Sequence, residues 1–408
     1  MELRSDCPVA NVKSRTFDSV LCFGDSDWWY HNRGHADMQF MRRFARHWRV
    51  IYINSLGVRV PSMSEGRMFL RRVTRKCRST ARYYRDGGEG FSVLSPIFLP
   101  FHDGLLGRSA IRGLELQIKA VARFSGMQRP LLWVACPTAA RVLDRIRRVG
   151  IVYQLSDCYV SFNGTAGAAA QMERTLARSA DLVLCSSRRL HDRARQLYGT
   201  GEYVEHGVDF ELFDAALRNP RVPAELRGAG RPIIGFFGNM DANTVDRLLL
   251  DWVIQSRPRY TFVLVGPMAS DFEMLRCHKN VIAVPQTPYH KIAHYGAAFD
   301  VCLMPWLQNE WIEHCNPVKF KEYLALGKPV VSTPFPELRQ CPSLCYVASG
   351  AEAFASAIDR ALEEDSPTMR EQRRTWAAQH TWDAKFAQVL DLLETRGIRT
   401  SGRTLRAD

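Results

Sequence analysis

The sequence predicts an α/β protein of two doubly wound domains facing across a cleft. Three observations carry that prediction. The chain has 408 residues, which at roughly 150 residues per domain gives two or three domains and room for two sizeable cores. Short apolar runs bounded by Gly, Pro or Asp alternate with stretches of helical spacing, the pattern of parallel strands joined by helices. The alternation is interrupted once, by a polar, Pro/Gly-rich stretch at 216–230 that reads as a linker. With 46% hydrophobic and 24% charged residues the chain is not a disordered one. No stretch approaches the ~18 uninterrupted apolar residues of a membrane-spanning helix.

The elements follow in order. FDSVLCF (17–23) is a buried strand ending at Gly24; a helical pattern covers 36–47, and RVIYIN (49–54) is the second strand. Further strands are expected at 91–99, 130–135, 150–155 and 181–185, with helices at about 109–124, 138–148 and 168–179. These make a first domain over 17–215. A second series opens at RPIIGFFG (231–238) and continues through 259–267, 280–285, 299–305 and 328–333, giving a second domain over 231–380. A helix at 381–397 follows, and the polar tail from about 398 is expected to fray. Ligands of open α/β sheets sit at the carboxyl ends of the strands, so the loops there hold the candidate site residues.

The eleven cysteines are odd in number and form no Cys-x-x-Cys. Reduced thiols fit better than disulfides, and no metal is expected. Met1 to Thr16 has no apolar core of a secretory signal, so a cytoplasmic protein is expected. The net charge is +13. Residues 1–216 hold 32 Lys+Arg against 21 Asp+Glu, a balance of +11, and 217–408 hold 23 against 21, a balance of +2. The first half therefore suits an anionic partner. Its most basic stretch, Arg67 to Arg85, carries eight basic residues with Met68, Phe69 and Leu70 interleaved. It reads either as a helix that meets anionic lipid through Arg71, Arg72, Arg75 and Lys76, or as a solvated helix face. No nucleic-acid motif accompanies it, so no nucleic-acid partner is expected.

The most informative stretch is HCNPVKFKEYLALGKPVV (314–331). A loop enters a short helix that stops at Gly327 before a buried strand. Free N–H groups and partial positive charge at a helix start suit a phosphate, and Lys319 adds a full charge. Glu322 falls one turn further on, where a carboxylate accepts ribose hydroxyls; the alternative is an amphipathic helix with both side chains solvated.

This stretch resembles the nucleotide-sugar site of GT-B glycosyltransferases, in particular the family 4-like (group 1) enzymes of exopolysaccharide and teichuronic-acid synthesis. Those carry two Glu separated by seven residues, then G-x-P-V-V. Glu322, Gly327, Pro329, Val330 and Val331 match, while His314 stands where the first Glu would be. HGVDFELF (206–213), ADLVLCSS (180–187), GFFGN (235–239), FVLVGP (262–267), FDVCLMP (299–305) and TWDAKF (381–386) extend the resemblance from about 17 to 395. It implies a GT-B fold whose last helix crosses back to the first domain. It also implies donor contacts at Gly238, Asn239, Arg247, Gly266, Gln286, His314, Asn316, Pro317, Lys319 and Glu322. Arg247 and Lys319 would share the diphosphate.

Two first-domain positions complete the candidates. The loop GDSDWWYHNRGH (24–35) follows the first strand. Asp27, Trp28 and Trp29 there would meet the acceptor, the alternative for the aromatics being core or a lid, and His35 would serve catalysis. Asp25 with Asp27 makes a weak metal pair. Asp157 ends the strand GIVYQLS, as the acceptor's base or as a helix cap. The reading is transfer of a sugar from a UDP- or GDP-linked donor to a lipid-linked or growing glycan acceptor. It needs neither metal nor cofactor, and would take place on the inner face of the plasma membrane. The rivals are a nucleotide-sugar epimerase on the same fold and a basic nucleic-acid-binding protein. The first strand lacks a following G-x-G-x-x-G, which argues against a dehydrogenase.

Overall fold

The computed structural model describes residues 15–30, 34–57, 67–98, 104–158 and 166–401, with the side chains of 67–72 and 166 outside the description. The chain opens with β1 (Arg15–Phe17), β2 (Ser19–Phe23), α1 (Ala36–Ala45), β3 (Arg49–Ile53), α2 (Arg67–Arg82), β4 (Tyr84–Asp86) and β5 (Ser92–Leu94). It continues with α3 (Gly104–Phe124), β6 (Pro130–Val134), β7 (Gly150–Leu155), α4 (Ala166–Ser179), β8 (Leu182–Cys185), α5 (Arg188–Tyr198) and β9 (Glu202–Tyr203). Eight of these strands form one sheet in the order β4-β5-β3-β2-β6-β7-β8-β9. Every pairing in it is parallel except β4 with β5.

After α6 (Phe210–Arg218) the second series begins: β10 (Ile233–Phe237), α7 (Arg247–Ser256), β11 (Thr261–Val265), β12 (Val281–Val284), α8 (Tyr289–Ala298) and β13 (Val301–Met304). It proceeds through α9 (Glu310–Glu313), α10 (Val318–Ala325), β14 (Val330–Ser332), β15 (Tyr346–Val347) and α11 (Ala351–Glu364). Its six strands run β12-β11-β10-β13-β14-β15, all parallel. That is the doubly wound order in which the chain reverses direction between β10 and β13, and the crevice for ligands opens there.

The strands read as unbroken apolar runs because helices cover both faces of each sheet. Leu21, Phe23, Ile51 and Ile53 enter one core, and Val20, Cys22, Val50 and Tyr52 enter another on the opposite face. The second sheet divides in the same way, with Val263 and Cys302 on one side and Phe262 and Leu303 on the other.

α12 (Pro367–Gln379) and α13 (Trp382–Thr395) follow, and the chain ends its described part in β16 (Ile398–Thr400). α13 packs on the first domain: Trp382, Phe386, Val389 and Leu393 join the core around Phe40 and Phe44. Arg43 donates to Asp383 at 2.8 Å. The chain therefore passes between the two units twice, at 206–208 and at 380–382. The two passes are bonded, Val208 N to His380 O at 2.9 Å and Trp382 N to Val208 O at 3.1 Å.

Three expectations are corrected. The tail is not frayed at its start, because Ile398–Thr400 pairs in parallel with Arg15–Phe17 and Ile398 is buried; residues 402–408 lie outside the described residues. The helical pattern at 138–148 resolves into two 3₁₀ turns, Pro137–Arg141 and Leu143–Arg145, broken at Val142 with φ −121°. The linker begins only after Arg218, since 216–218 complete α6.

Candidate active site

At the carboxyl ends of β10 and β11 the backbone turns through Gly238 (φ 142°) and Gly266 (φ 140°). Both conformations exclude ordinary side chains. A Cβ on Gly266 would lie 2.0 Å from Gly238 O, and one on Gly238 would lie 2.4 Å from Lys319 Nζ. The missing side chains thus leave the space that the lysine occupies. Its ammonium stands 4.3 Å from the centre of the Phe236 ring and 5.8 Å from that of Trp306. Burial lowers the Lys319 pKa to about 8, against the opposing pull of Glu322 and Asp241.

Lys319 and Glu322 are one turn apart on α10 and so share a face. Glu322 is buried and accepts a hydrogen bond from Tyr289 Oη at 2.8 Å. Burial raises its pKa to about 7, with Tyr289 and Lys319 pulling the other way. Tyr289 begins α8 and reaches the first domain, where a Cβ on Gly34 would lie 3.0 Å from its ring. His35 is exposed, sits just before α1, and is close enough to the half-buried His206 for its charge to bear on that ring.

Asp157 stands across the cleft. Burial raises its carboxyl pKa to about 6. It lies near enough to Cys315 to push that thiol up, which places it opposite the loop entering α10. The residues that follow, 159–165, lie outside the described residues, and the next described helix starts at Ala166.

The loop itself is tied down. Asn316 O is hydrogen-bonded to His206 Nδ1 (2.7 Å), and Lys321 Nζ donates to Asn316 Oδ1 (2.6 Å). His314 Nδ1 is bonded to Glu310 O at 2.8 Å. Ligand atoms of Cys158, Glu310 and His314 all fall within 4.8 Å of one another, a set able to hold a metal that the sequence reading does not foresee. Beside the cleft lies a cavity of about 540 Å³ lined by Arg189 of the first domain and by Asn309, Ile312, Phe335 and Arg339 of the second.

With this geometry in view, residues 231–364 match the family described as glycosyl transferases group 1. The second domain is a group 1 glycosyltransferase domain. The chain is 27% identical over 287 residues, 64% of its length and 71% of the relative's, to TuaH of Bacillus subtilis (strain 168), whose name assigns it as a glycosyltransferase of teichuronic acid biosynthesis. Among solved structures it is similar to the sucrose-phosphate synthase of Thermosynechococcus elongatus, with a TM-score of 0.69 and 18% identity over 93% of this chain and 98% of that one. It is also similar to HepE of Anabaena in complex with UDP-glucose, with a TM-score of 0.64 and 16% identity over 92% and 99%. The glycosyltransferase has the GT-B fold of these neighbours.

The structure thus gathers Gly238, Gly266, Lys319, Glu322, Asn316 and Pro317 on the second-domain side of the cleft, with Asp157 and His35 on the other. Asn239 is exposed and bonded to Asp241. Arg247 opens α7 and donates to Met274 Sδ at 2.8 Å, and Gln286 is exposed beyond the end of β12.

Two first-domain expectations are corrected. Trp28 is only 1% exposed, packs on Phe91 and Tyr52, and donates Nε1–H to Gly87 O at 3.1 Å. It is core and has no face left for a sugar. Lys76 turns inward to donate to Ser55 O at 3.0 Å, so it does not face a membrane. Asp27 accepts from Trp29 N at 2.9 Å and shapes its own turn. Trp29 carries the Arg82 guanidinium 4.7 Å from its ring centre. Arg75 is exposed, while the side chains of Arg71 and Arg72 lie outside the described residues. Tyr289 escapes a sequence reading because only the fold brings α8 to α10; its one signal is an aromatic in the first turn after a cleft-facing strand.

A pair of alanine substitutions tests the glycine loop. Gly238→Ala carries the strain of its positive φ but meets only the flexible end of a lysine, so the melting temperature should fall less than for Gly266→Ala while nucleotide affinity falls. Gly266→Ala meets a carbonyl at 2.0 Å and should lower the melting temperature markedly. Equal melting temperatures for the two variants would contradict this account.

Proposed function

We propose that this glycosyltransferase moves a sugar from a UDP- or GDP-sugar to a lipid-linked or growing glycan acceptor, without a catalytic metal. The observation that carries the reading is Lys319 beside Glu322 at the start of α10, beneath the Gly238 loop and opposite Asp157. Glu322 would accept the ribose hydroxyls, taking over from Tyr289. Lys319 and the free N–H groups of α10 would hold the diphosphate, and His314 would contact the donor sugar. In the reaction the acceptor hydroxyl attacks the anomeric carbon and its proton passes to Asp157. The bond from that carbon to the diphosphate oxygen breaks. The leaving diphosphate gains negative charge, which Lys319 and the helix start stabilise. A carboxyl with its pKa near 6 takes a proton at neutral pH more readily than an ordinary aspartate. That HepE of Anabaena is solved with UDP-glucose makes UDP-glucose the first probe.

Calorimetry with UDP and GDP, and release of UDP from UDP-glucose, test the assignment. Glu322→Ala should weaken nucleotide binding by ~10-fold or more, as expected for lost hydrogen bonds to a charged group. Asp157→Asn should bind nucleotide as the parent does and lose ~10²–10⁴ in turnover. Undiminished nucleotide affinity in Glu322→Ala would refute the donor site.

Chelation tests the absence of a catalytic metal. EDTA should leave turnover unchanged. If EDTA abolished it, and Cys158→Ser did the same, the Cys158–Glu310–His314 set would be a required metal site instead.

The membrane half of the proposal rests on the +11 balance of residues 1–216 and on Arg75, Arg78 and Arg85, all exposed on or just after α2. Leu105, Leu106 and Phe124 of α3 are exposed as well, at 81%, 68% and 83%. Each arginine near an anionic surface contributes about 1 kcal/mol. The protein should sediment with anionic but not neutral vesicles, less so at high salt. Changing Arg75, Arg78 and Arg85 to Ser should release it; equal partition to both lipids would end the idea.

A further inference from the structure

Where the chain crosses between the domains, the structure buries a group of charges that no step above uses. Glu205 lies just before the first pass, His380 opens the second, and Lys385 lies one turn into α13. Lys321 lies on α10. Lys321 Nζ is 3.2 Å from Glu205 Oε2, and Lys385 Nζ donates to Glu205 Oε1 at 2.9 Å. His380 Nε2 is 3.5 Å from the same oxygen. Burial alone would raise the Glu205 pKa, yet the two ammonium groups hold it at about 2. The Lys321 side chain is only 3% exposed.

Burying such a pair costs desolvation that its attraction often only just returns, so a buried ion pair is weak evidence of stability. What it does fix is geometry. Lys321 is two residues from Lys319 and next to Glu322, so it leaves α10 on a different side from the one that pair shares. It also holds Asn316 Oδ1 at 2.6 Å, while Asn316 O is bonded to His206 of the first domain. One side of α10 therefore carries the donor contacts, and the other is bolted to the first domain.

We propose that Lys321 is a positioning residue: through Glu205 and Asn316 it sets the angle at which α10, and with it the donor, faces Asp157. The proposal rests on the donor reading given above. Its test does not, because the interdomain distance is read without nucleotide.

Cys77 and Cys277 are exposed, one in each domain. With Cys7, Cys315 and Cys345 changed to Ser, fluorescent dyes on this pair report the separation of the domains in the full-length protein. The parent should give one narrow energy-transfer distribution. Lys321→Met should shift or broaden it, with UDP and GDP affinity changed less than ~3-fold, a bound set by the second domain holding its donor contacts unaided. Lys321→Arg should restore the narrow distribution. Lys385 still answers Glu205 in Lys321→Met, which favours folding. Should that variant nevertheless fail to fold, Glu205→Gln with Lys321→Met removes both charges and should give the same broadened distribution. A parent-like distribution in a folded variant lacking Lys321 overturns the proposal. So does a loss of nucleotide affinity as large as that of Glu322→Ala, which would make Lys321 part of the donor pocket. Failure of Glu322→Ala to weaken nucleotide binding would count against the donor reading alone.

Discussion

The cleft depends on how closely two backbone turns approach each other. Gly266 lies so near Gly238 O that no side chain fits between them, and Gly238 in turn leaves room for Lys319 Nζ. A bulkier residue at either turn would separate β10 from β11 at their carboxyl ends or expel the lysine. The constraint lies in backbone geometry, so it acts before any charge is considered. It also explains why an ammonium rests over the Phe236 ring rather than in water. The parallel sheet brings both turns to one edge, and α10 brings the lysine up from below.

The same edge faces the first domain because the chain crosses twice at one place. Gly207 has no room for a side chain either, since a Cβ there would stand 2.5 Å from Trp382 N. The second pass continues into α13, whose Trp382 and Phe386 are part of the first domain's core. The two domains therefore share a helix as well as a linker, and the charges at Glu205, Lys321 and Lys385 sit where the passes meet. Asp157 and the α10 loop are held opposite each other by that junction.

Much of this was legible in the sequence, and the limits have physical causes. Apolar runs such as IIGFF and TFVLV are continuous because both faces of each sheet are covered, so strand positions follow from composition. Lys319 and Glu322 were legible because a helix start and a one-turn spacing are local. Trp28 was not, because its burial depends on Phe91 and Gly87, some sixty residues away. Lys76 reads as one more charge in a basic helix, and only the packing of α2 against Ser55 turns it inward. Lys321 and Glu205 carry no motif at all. Their meaning arises from two chain segments more than a hundred residues apart meeting where Lys321 is buried.

Burial displaces three groups around the cleft, two of them in ways that a bound donor, on the proposed reading, would reverse. Desolvation lowers Lys319 to about 8, raises Glu322 to about 7 and raises Asp157 to about 6. Each is moved toward neutrality because burial penalises the charged form. A diphosphate beside Lys319 would supply the opposite charge and favour the ammonium, strengthening the contact as leaving-group charge develops. Ribose hydroxyls on Glu322 would donate to the carboxylate and favour its ionised form. Burial alone raises the Asp157 carboxyl and keeps it basic. On the proposed reading, the α10 side would become charged when filled, and Asp157 across the cleft would stay ready for a proton. That division of labour follows from which groups share α10 and which stand across the cleft from it.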